Sequence, residues 1–396
     1  MMSEAIGKTK LHAALFPNEP TWFTDMRQRA FEEMQITNDP RFAKVDYRNW
    51  GLGELSAEGP TKDLALVDHS TDDYILCPIA IAMVKYEKLF QTYYMKKALT
   101  ELSDRLINFS TAFVNAGNFL YVPENTKLAK PICLNQIEYS QTSDEISHNL
   151  IVLGEGTQAT ICLDNQPEQA GEKIHRISEI VLEAGSHLNL ITVDNFSSNK
   201  AVYVNRQAYV GEQAKLDWTI GSFSDGNVVA EMNAELVGRR STATINNAAI
   251  TSGTQTQGMN TRLTNLAPYT TGKIRQRGVV LDQSRLVFNG IGKIVHGAHG
   301  TIAEQENRLL MLSDQASGDA NPILLIDEND VEAGHAASVG RLDKKQLYYL
   351  MSRGLSKEVA KQLVVRGFIG IFAKEITNRR IREAFQKTLE RKLTNG

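Results

Sequence analysis

His335 stands in the stretch Glu332-Ala333-Gly334-His335-Ala336-Ala337-Ser338-Val339-Gly340. Its small neighbours would let another chain or a ligand come close. A neutral imidazole is a good ligand for borderline metals. Taken alone, His335 reads first as a structural histidine. His296 and His299 flank Gly297-Ala298. Three residues apart on a strand, they would face opposite sides; on a turn they could converge. No third His, Cys or carboxylate stands at ligand spacing, so the stretch reads as a loop. Asp327-Glu328-Asn329-Asp330, followed by Glu332, could do acid–base work or hold a hard cation. A solvated turn at a strand end is the plainer reading. Cys77, Cys133 and Cys162 form no CxxC pair, which argues against a zinc ribbon, a redox pair or a disulfide framework. They read as buried small hydrophobes in a reducing compartment.

No GxxxxGK[ST] loop is present, because Gly272-Lys273 and Gly292-Lys293 lack the upstream Gly and the following Ser/Thr. GxGxxG, HExxH, GxSxG and EF-hand patterns are absent too. If ATP is involved, its hydrolysis is expected on another chain.

The chain has 396 residues, 42% of them hydrophobic, enough for a sizeable core. With 43 basic against 46 acidic residues it lacks the basic field that phosphate binding needs, which disfavours nucleic acid as a partner. The start, MMSEAIGKTK, has no apolar h-region, and the longest apolar run, Tyr74–Val84, contains Pro78. A membrane span needs roughly 20 apolar residues. The expectation is a soluble, cytoplasmic protein without a membrane partner.

Periodicity divides the chain into three regions: helical over 1–117, strand-rich over 118–340 and helical again over 341–396. Near the start, Trp22, Phe23, Met26, Ala30, Phe31 and Met34 form one apolar stripe, with Arg27, Arg29, Glu32 and Glu33 expected to face water. A second helical stretch is expected over about 84–115. The middle region shows period-two runs such as Leu188–Val193, Ala201–Val210 and Ala243–Ile250, separated by short turns. A weak repeat starts at Gly156, Gly185, Gln213 and Arg240, at spacings of 29, 28 and 27 residues. A further copy at Gln283 follows at 43. Strand-rich units at this period favour a parallel β-helix, with a β-sandwich as the alternative.

In the last region Asp343 can cap a helix that ends before Gly354, and Ser356 can cap a second one ending at Gly367. Lys374–Lys392 is rich in Lys and Arg, which reads as a solvated helix face or as a docking surface for an acidic partner.

At this point the chain resembles the SufB/SufD family of iron–sulfur cluster assembly proteins, and within it the SufD branch. The likeness spans nearly the whole chain. It rests on Ser284–Gly290, Thr301–Ser313, Asn321–Val331 and Gly334–Gly354, with Glu19–Met34 and Ala112–Pro123 near the start. The resemblance implies a mainly β fold, a right-handed parallel β-helix flanked by N- and C-terminal helical segments. It implies a non-catalytic scaffold that pairs with a SufB-like paralogue or with itself, and that docks a SufC-like ABC ATPase through the C-terminal helices. The docking residues expected there are Leu347, Tyr348, Leu363, Phe368 and Phe372. No cofactor is expected to stay bound. A transient iron–sulfur cluster at the SufB interface, and reduced flavin in the complex, are the implied cargo and reductant.

The SufB pattern has a Cys near the position of Asn321 and a Glu directly after the motif His, where this chain has Ala336. His335 matches the His of the family's HGAT-type motif, which the resemblance places at the cluster-forming interface. Two positions depart from that motif. Ala333 stands where the family often has Cys, and Ala336 where it has Gly. The partner would then supply the thiolates. Two other classes stay open: a carbohydrate-active enzyme on a β-helix, and a purely structural solenoid that binds protein.

Overall fold

The computed structural model of the protein describes residues 15–16, 18–55, 67–135, 144–165, 173–198 and 200–394. The strand-rich region winds as a parallel β-solenoid of about seven turns. Sheet A holds β1 (Ile75–Pro78), β2 (Asn118–Val122), β4 (Glu145–Leu153), β6 (Lys173–Leu182), β8 (Ala201–Val210), β10 (Asn227–Leu236), β12 (Thr256–Asn265), β14 (Arg285–Ile294) and β16 (Ser317–Ile326). Sheet B holds β3 (Ile132–Asn135), β5 (Gln158–Asn165), β7 (His187–Asp194), β9 (Lys215–Ser222), β11 (Thr242–Thr251), β13 (Thr271–Val280), β15 (Thr301–Met311) and β17 (Val331–Arg341). All neighbours are parallel except β1, which closes the first coil antiparallel to β2. The β-sandwich alternative is excluded.

The repeat seen in the sequence is the turn that enters sheet B. Gly156, Gly185, Gln213, Arg240, Tyr269 and Gly300 all take a left-handed conformation, with φ between 54° and 68°. Each donates its N–H to a carbonyl one coil further on: Ala184, Glu212, Arg239, Pro268, His299 and Asp330 respectively. A small residue follows each of them. Thr157, Ser186, Ala214, Ser241, Thr270 and Thr301 form a buried file up the inside of the turn. The copy at Gln283 belongs elsewhere. It precedes β14 in sheet A, and the true next copy starts at Tyr269, 29 residues after Arg240. The irregular spacing of 43 is one coil plus half of the next.

Between the sheets, register partners stack their side chains. Ile161, Leu190, Trp218, Ile245 and Ile274 form one file in sheet B. Leu153, Leu182, Val210 and Leu236 form one in sheet A. All are buried, and each contributes roughly 1.5–3 kcal/mol from burial.

Parallel sheets need both faces covered. The outer face of sheet A is covered by the N-terminal region, with α1 (Thr21–Glu33), α2 (Ile79–Lys85), α3 (Glu87–Tyr93) and α4 (Arg105–Ala112). Phe23, Met83, Phe90 and Tyr94 meet Phe119, Leu150 and Val181, while Phe42, Val45 and Leu106 meet Ile177, Tyr203 and Val287. The outer face of sheet B is covered by α6 (Lys357–Ile369) and α7 (Arg379–Thr394). Phe372, Ile381, Phe385 and Leu389 pack there on Val193, Phe223, Ile250 and Val279.

Several expectations change. The stretch 84–115 is broken into short helices, with α4 opened by Asp104, whose carboxylate accepts from the N–H groups of Leu106 and Ile107. Strand β1 lies inside the region expected to be helical. Arg27 does not face water. It is buried against Glu19, 2.7 Å away, and donates to the Ala112 carbonyl, so it ties α1 to the end of α4. Asp343 and Ser356 cap α5 (Lys344–Ser352) and α6 as expected, and Gly354 has φ +92°. Gly367 does not end α6, which runs on to Ile369.

Candidate functional site at the open end of the solenoid

Among the described residues no further coil is stacked on the last one, β16 and β17. Strand β17 continues the register of β15, so Gln305 faces His335 and Leu309 faces Val339. Along β15 every second residue is buried, whereas from Glu332 onward every residue of β17 is exposed. Added Cβ atoms at Gly334 and Gly340 would meet nothing within 4 Å. Ile323, Leu325, Ile326 and Val339 are exposed as well. Among the described residues both sheets thus end in an uncovered strand edge, and such an edge can template pairing with another chain.

His335 lies on this edge. It shares its register position with Gln305, whose buried side chain points between the sheets and donates to the Ile323 carbonyl at 3.0 Å. The imidazole therefore sits over the end of the solenoid's interior. Ala333 and Ala337 beside it leave space around the ring, as their sizes suggested. Among the described residues no group of three His, Cys, Asp or Glu side chains is placed to hold a metal ion.

Asn321 ends a ladder on the outer face of sheet A. Its amide donates to Asn289, which donates to Asn260, which donates to Glu231, at 2.9, 2.9 and 3.0 Å. Lys44 donates to Asn321 and to Asp319, which joins the N-terminal region to the last coil.

The other candidates are structural. Glu328 accepts from the N–H groups of Gly297 and Asn329, which hold its carboxyl below the usual range and shape the turn. His296 is 93% exposed, with Nδ1 3.9 Å from Glu328. His299 instead packs edge-on against Tyr269, so the two histidines do not converge.

The expected docking residues separate into two groups. Tyr348 is 74% exposed and Leu363 49% exposed. With Tyr349, Met351 and Val359 they form an apolar face on the hairpin of α5 and α6; Leu347 is half-buried. Phe372 is wholly buried against sheet B and offers a partner no surface. Phe368 is half-buried beneath Arg277, which donates to its carbonyl at 3.0 Å. Nor is the basic tail a uniform face. Lys392 is buried and donates to Ser224, Asp225 and Gln255, while Arg391 pairs with Asp225 at 3.0 Å. These two residues latch α7 onto the turn before β10.

Sequence reading missed one buried relay. The Tyr94 hydroxyl meets His148 Nδ1 at 2.9 Å, and His148 Nε2 meets Glu179 at 2.9 Å. Glu179 also accepts from the N–H groups of Met95 and Leu99. All three side chains are buried, and the relay anchors the segment after α3 to sheet A. Tyr94 ends α3 while His148 and Glu179 lie on β4 and β6, and no local spacing signals such partners.

Comparison with known proteins agrees with this architecture. Residues 137–368 match the family described as SUF system FeS cluster assembly, SufBD core domain, and residues 62–134 match the SufBD protein N-terminal region. The iron–sulfur cluster assembly protein SufD of Bacillus subtilis is 33% identical over 95% of this chain and 95% of its own length. An iron–sulfur cluster assembly SufBD family protein of Staphylococcus epidermidis is 25% identical over 74% of this chain and 64% of its own.

Proposed function

Because the chain belongs to the SufBD family of iron–sulfur cluster assembly proteins and is SufD-like, we propose that it is a non-catalytic scaffold subunit. It pairs with a SufB-like paralogue through the last coil and binds a SufC-like ABC ATPase through α5 and α6. The observation that carries this reading is the uncovered coil β16–β17, whose two strand edges need a partner. A SufB-like solenoid that ends in the same way can continue both sheets, and a second copy of this chain is the competing occupant. The exposed apolar face around Tyr348 and Leu363 supports a separate contact, since α5 buries no residue of its own. The cluster is cargo, not a resident cofactor. His335 supplies one imidazole at the interface and the partner supplies the thiolates. Reduced flavin, if used, serves the complex. Among the described residues no helix is long and apolar enough to cross a membrane, and we place the complex in the cytoplasm.

The test is co-expression of the full chain with a SufB-like paralogue and a SufC-like ATPase. Tyr348→Glu with Leu363→Glu should lose the ATPase and keep the paralogue. Leu325→Glu with Val339→Glu should do the reverse. His335→Ala should keep both partners and lower the cluster absorbance of the complex. Recovery of both partners by every variant would sink the assignment of surfaces.

A further inference from the structure

Cys133 and Cys162 are far apart in the sequence but are register partners on β3 and β5. Neighbouring strands lie about 4.8 Å apart and register partners project to the same face, so the thiols stand side by side. That spacing is within the range of Cα separations a disulfide spans. Cys133 is exposed, contrary to the expectation of three buried cysteines, and Cys162 is buried at the margin of the apolar layer under α7. Both line a groove of about 890 Å³ between sheet B and α7. Lys130, Arg380 and Lys387 also line it, as does Arg391, which Asp225 already pairs, and none of its described lining residues is a carboxylate. These cations draw in anions. The groove lies at the opposite edge of sheet B from His335.

We propose that this groove is a thiol-exchange site for anionic low-molecular-weight disulfides, with Cys133 as the attacking thiol and Cys162 as the resolving thiol. The Cys133 thiolate attacks one sulfur of the disulfide. The reagent's S–S bond breaks, a mixed disulfide forms and one thiolate leaves. Cys162, deprotonated, then attacks Cys133 Sγ and expels the second thiolate. Both leaving thiolates take up the protons that the cysteines released. The two cysteines are oxidised and the reagent is reduced to two thiols. The product ties β3 covalently to β5 in the first coils of sheet B.

Glutathione disulfide is the probe, and hydroxyethyl disulfide is its neutral control. The reduced full chain is treated with each and followed by intact mass and peptide mapping. We expect the loss of two hydrogens and a bond joining the Cys133 and Cys162 peptides. Cys162→Ser should stop at one glutathione on Cys133, and Cys133→Ser should form neither product. Lys130→Glu with Arg380→Glu and Lys387→Glu should slow glutathione disulfide roughly ten-fold and leave the neutral reagent within about two-fold. If Cys162→Ser does not fold, the map of the unaltered chain decides alone. The proposal is overturned if that map shows no Cys133–Cys162 bond, or if charge reversal slows both reagents equally.

Discussion

Strands β15 and β17 are neighbours in one sheet, in unbroken register, with the same alternation of side chains. Yet Leu309 is 3% exposed and its partner Val339 is 44% exposed. The difference lies in what covers each strand. β15 has β13 on one side, β17 on the other and Gly278 making room for Leu309 across the sheet. β17 has a neighbour on one side only. Its composition fits this position, with Gly334, Ala336, Ala337 and Ser338 where β15 has Glu304, Glu306, Asn307 and Arg308. A solenoid whose end is bare needs a cap or a partner. At the other end β1 and the N-terminal helices cover the start of sheet A. The contrast marks the coil through which we propose that pairing takes place.

The contrast can be broken by substitution in the isolated chain. The largest loss is expected where cover is complete. Phe385→Ala removes a buried ring that packs edge-on against Phe223 beneath α7, and should cost about 3–5 kcal/mol in denaturant unfolding. A loss below about 1 kcal/mol would mean that α7 is not a fixed layer on sheet B.

Next comes the pair itself. Leu309→Ala should cost about 2–5 kcal/mol, whereas Val339→Ala should stay within about 0.5 kcal/mol until a partner is added. Equal losses would show that the last coil is already covered.

A smaller effect depends on pH. His175 is buried between α4 and sheet A, with Nδ1 2.8 Å from the Ser110 hydroxyl. Burial pushes its pKa down from 6.5 to about 3. The unfolded chain therefore takes up a proton that the folded chain refuses, and this contribution to stability is lost as pH falls from about 6.5 to 3. His175→Gln should flatten the pH dependence of the unfolding midpoint over that range. An unchanged slope would count against a neutral, buried imidazole.

The smallest effect is expected on the α5–α6 face. Tyr348→Ser should change stability by less than about 0.5 kcal/mol, because the ring is exposed. A larger loss would mean that this face is already packed in the isolated chain.

Much of the fold was legible because each coil repeats one physical solution. A left-handed turn residue, a small residue behind it and an alternating strand recur at 27 to 31 residues, and four of the five copies found in the sequence fall on register partners of sheet B. The fifth misled because a turn entering sheet A carries a similar signal: Ser284 stands two residues after the left-handed Asp282, where Ser241 directly follows the left-handed Arg240. Local pattern reports a turn and not the sheet it serves. The caps of the tail helices were legible for the same local reason. Arg27 was not, since helical spacing cannot show that Glu19 and the end of α4 close over it. His335 was legible as a residue with room around it, but the bareness of its strand was not.

The sequence by itself determined the period, the strands, the capped tail helices and the family, because these depend on residues near one another in the chain. Tertiary structure alone decided that Phe372 and Lys392 belong to the interior while Tyr348 stays outside. It also set Cys133 beside Cys162 and left the outer edge of His335's strand without a neighbour among the described residues. Exposure depends on what the rest of the chain brings across from a distance, and a strand's own alternation is the same whether or not another strand lies against it.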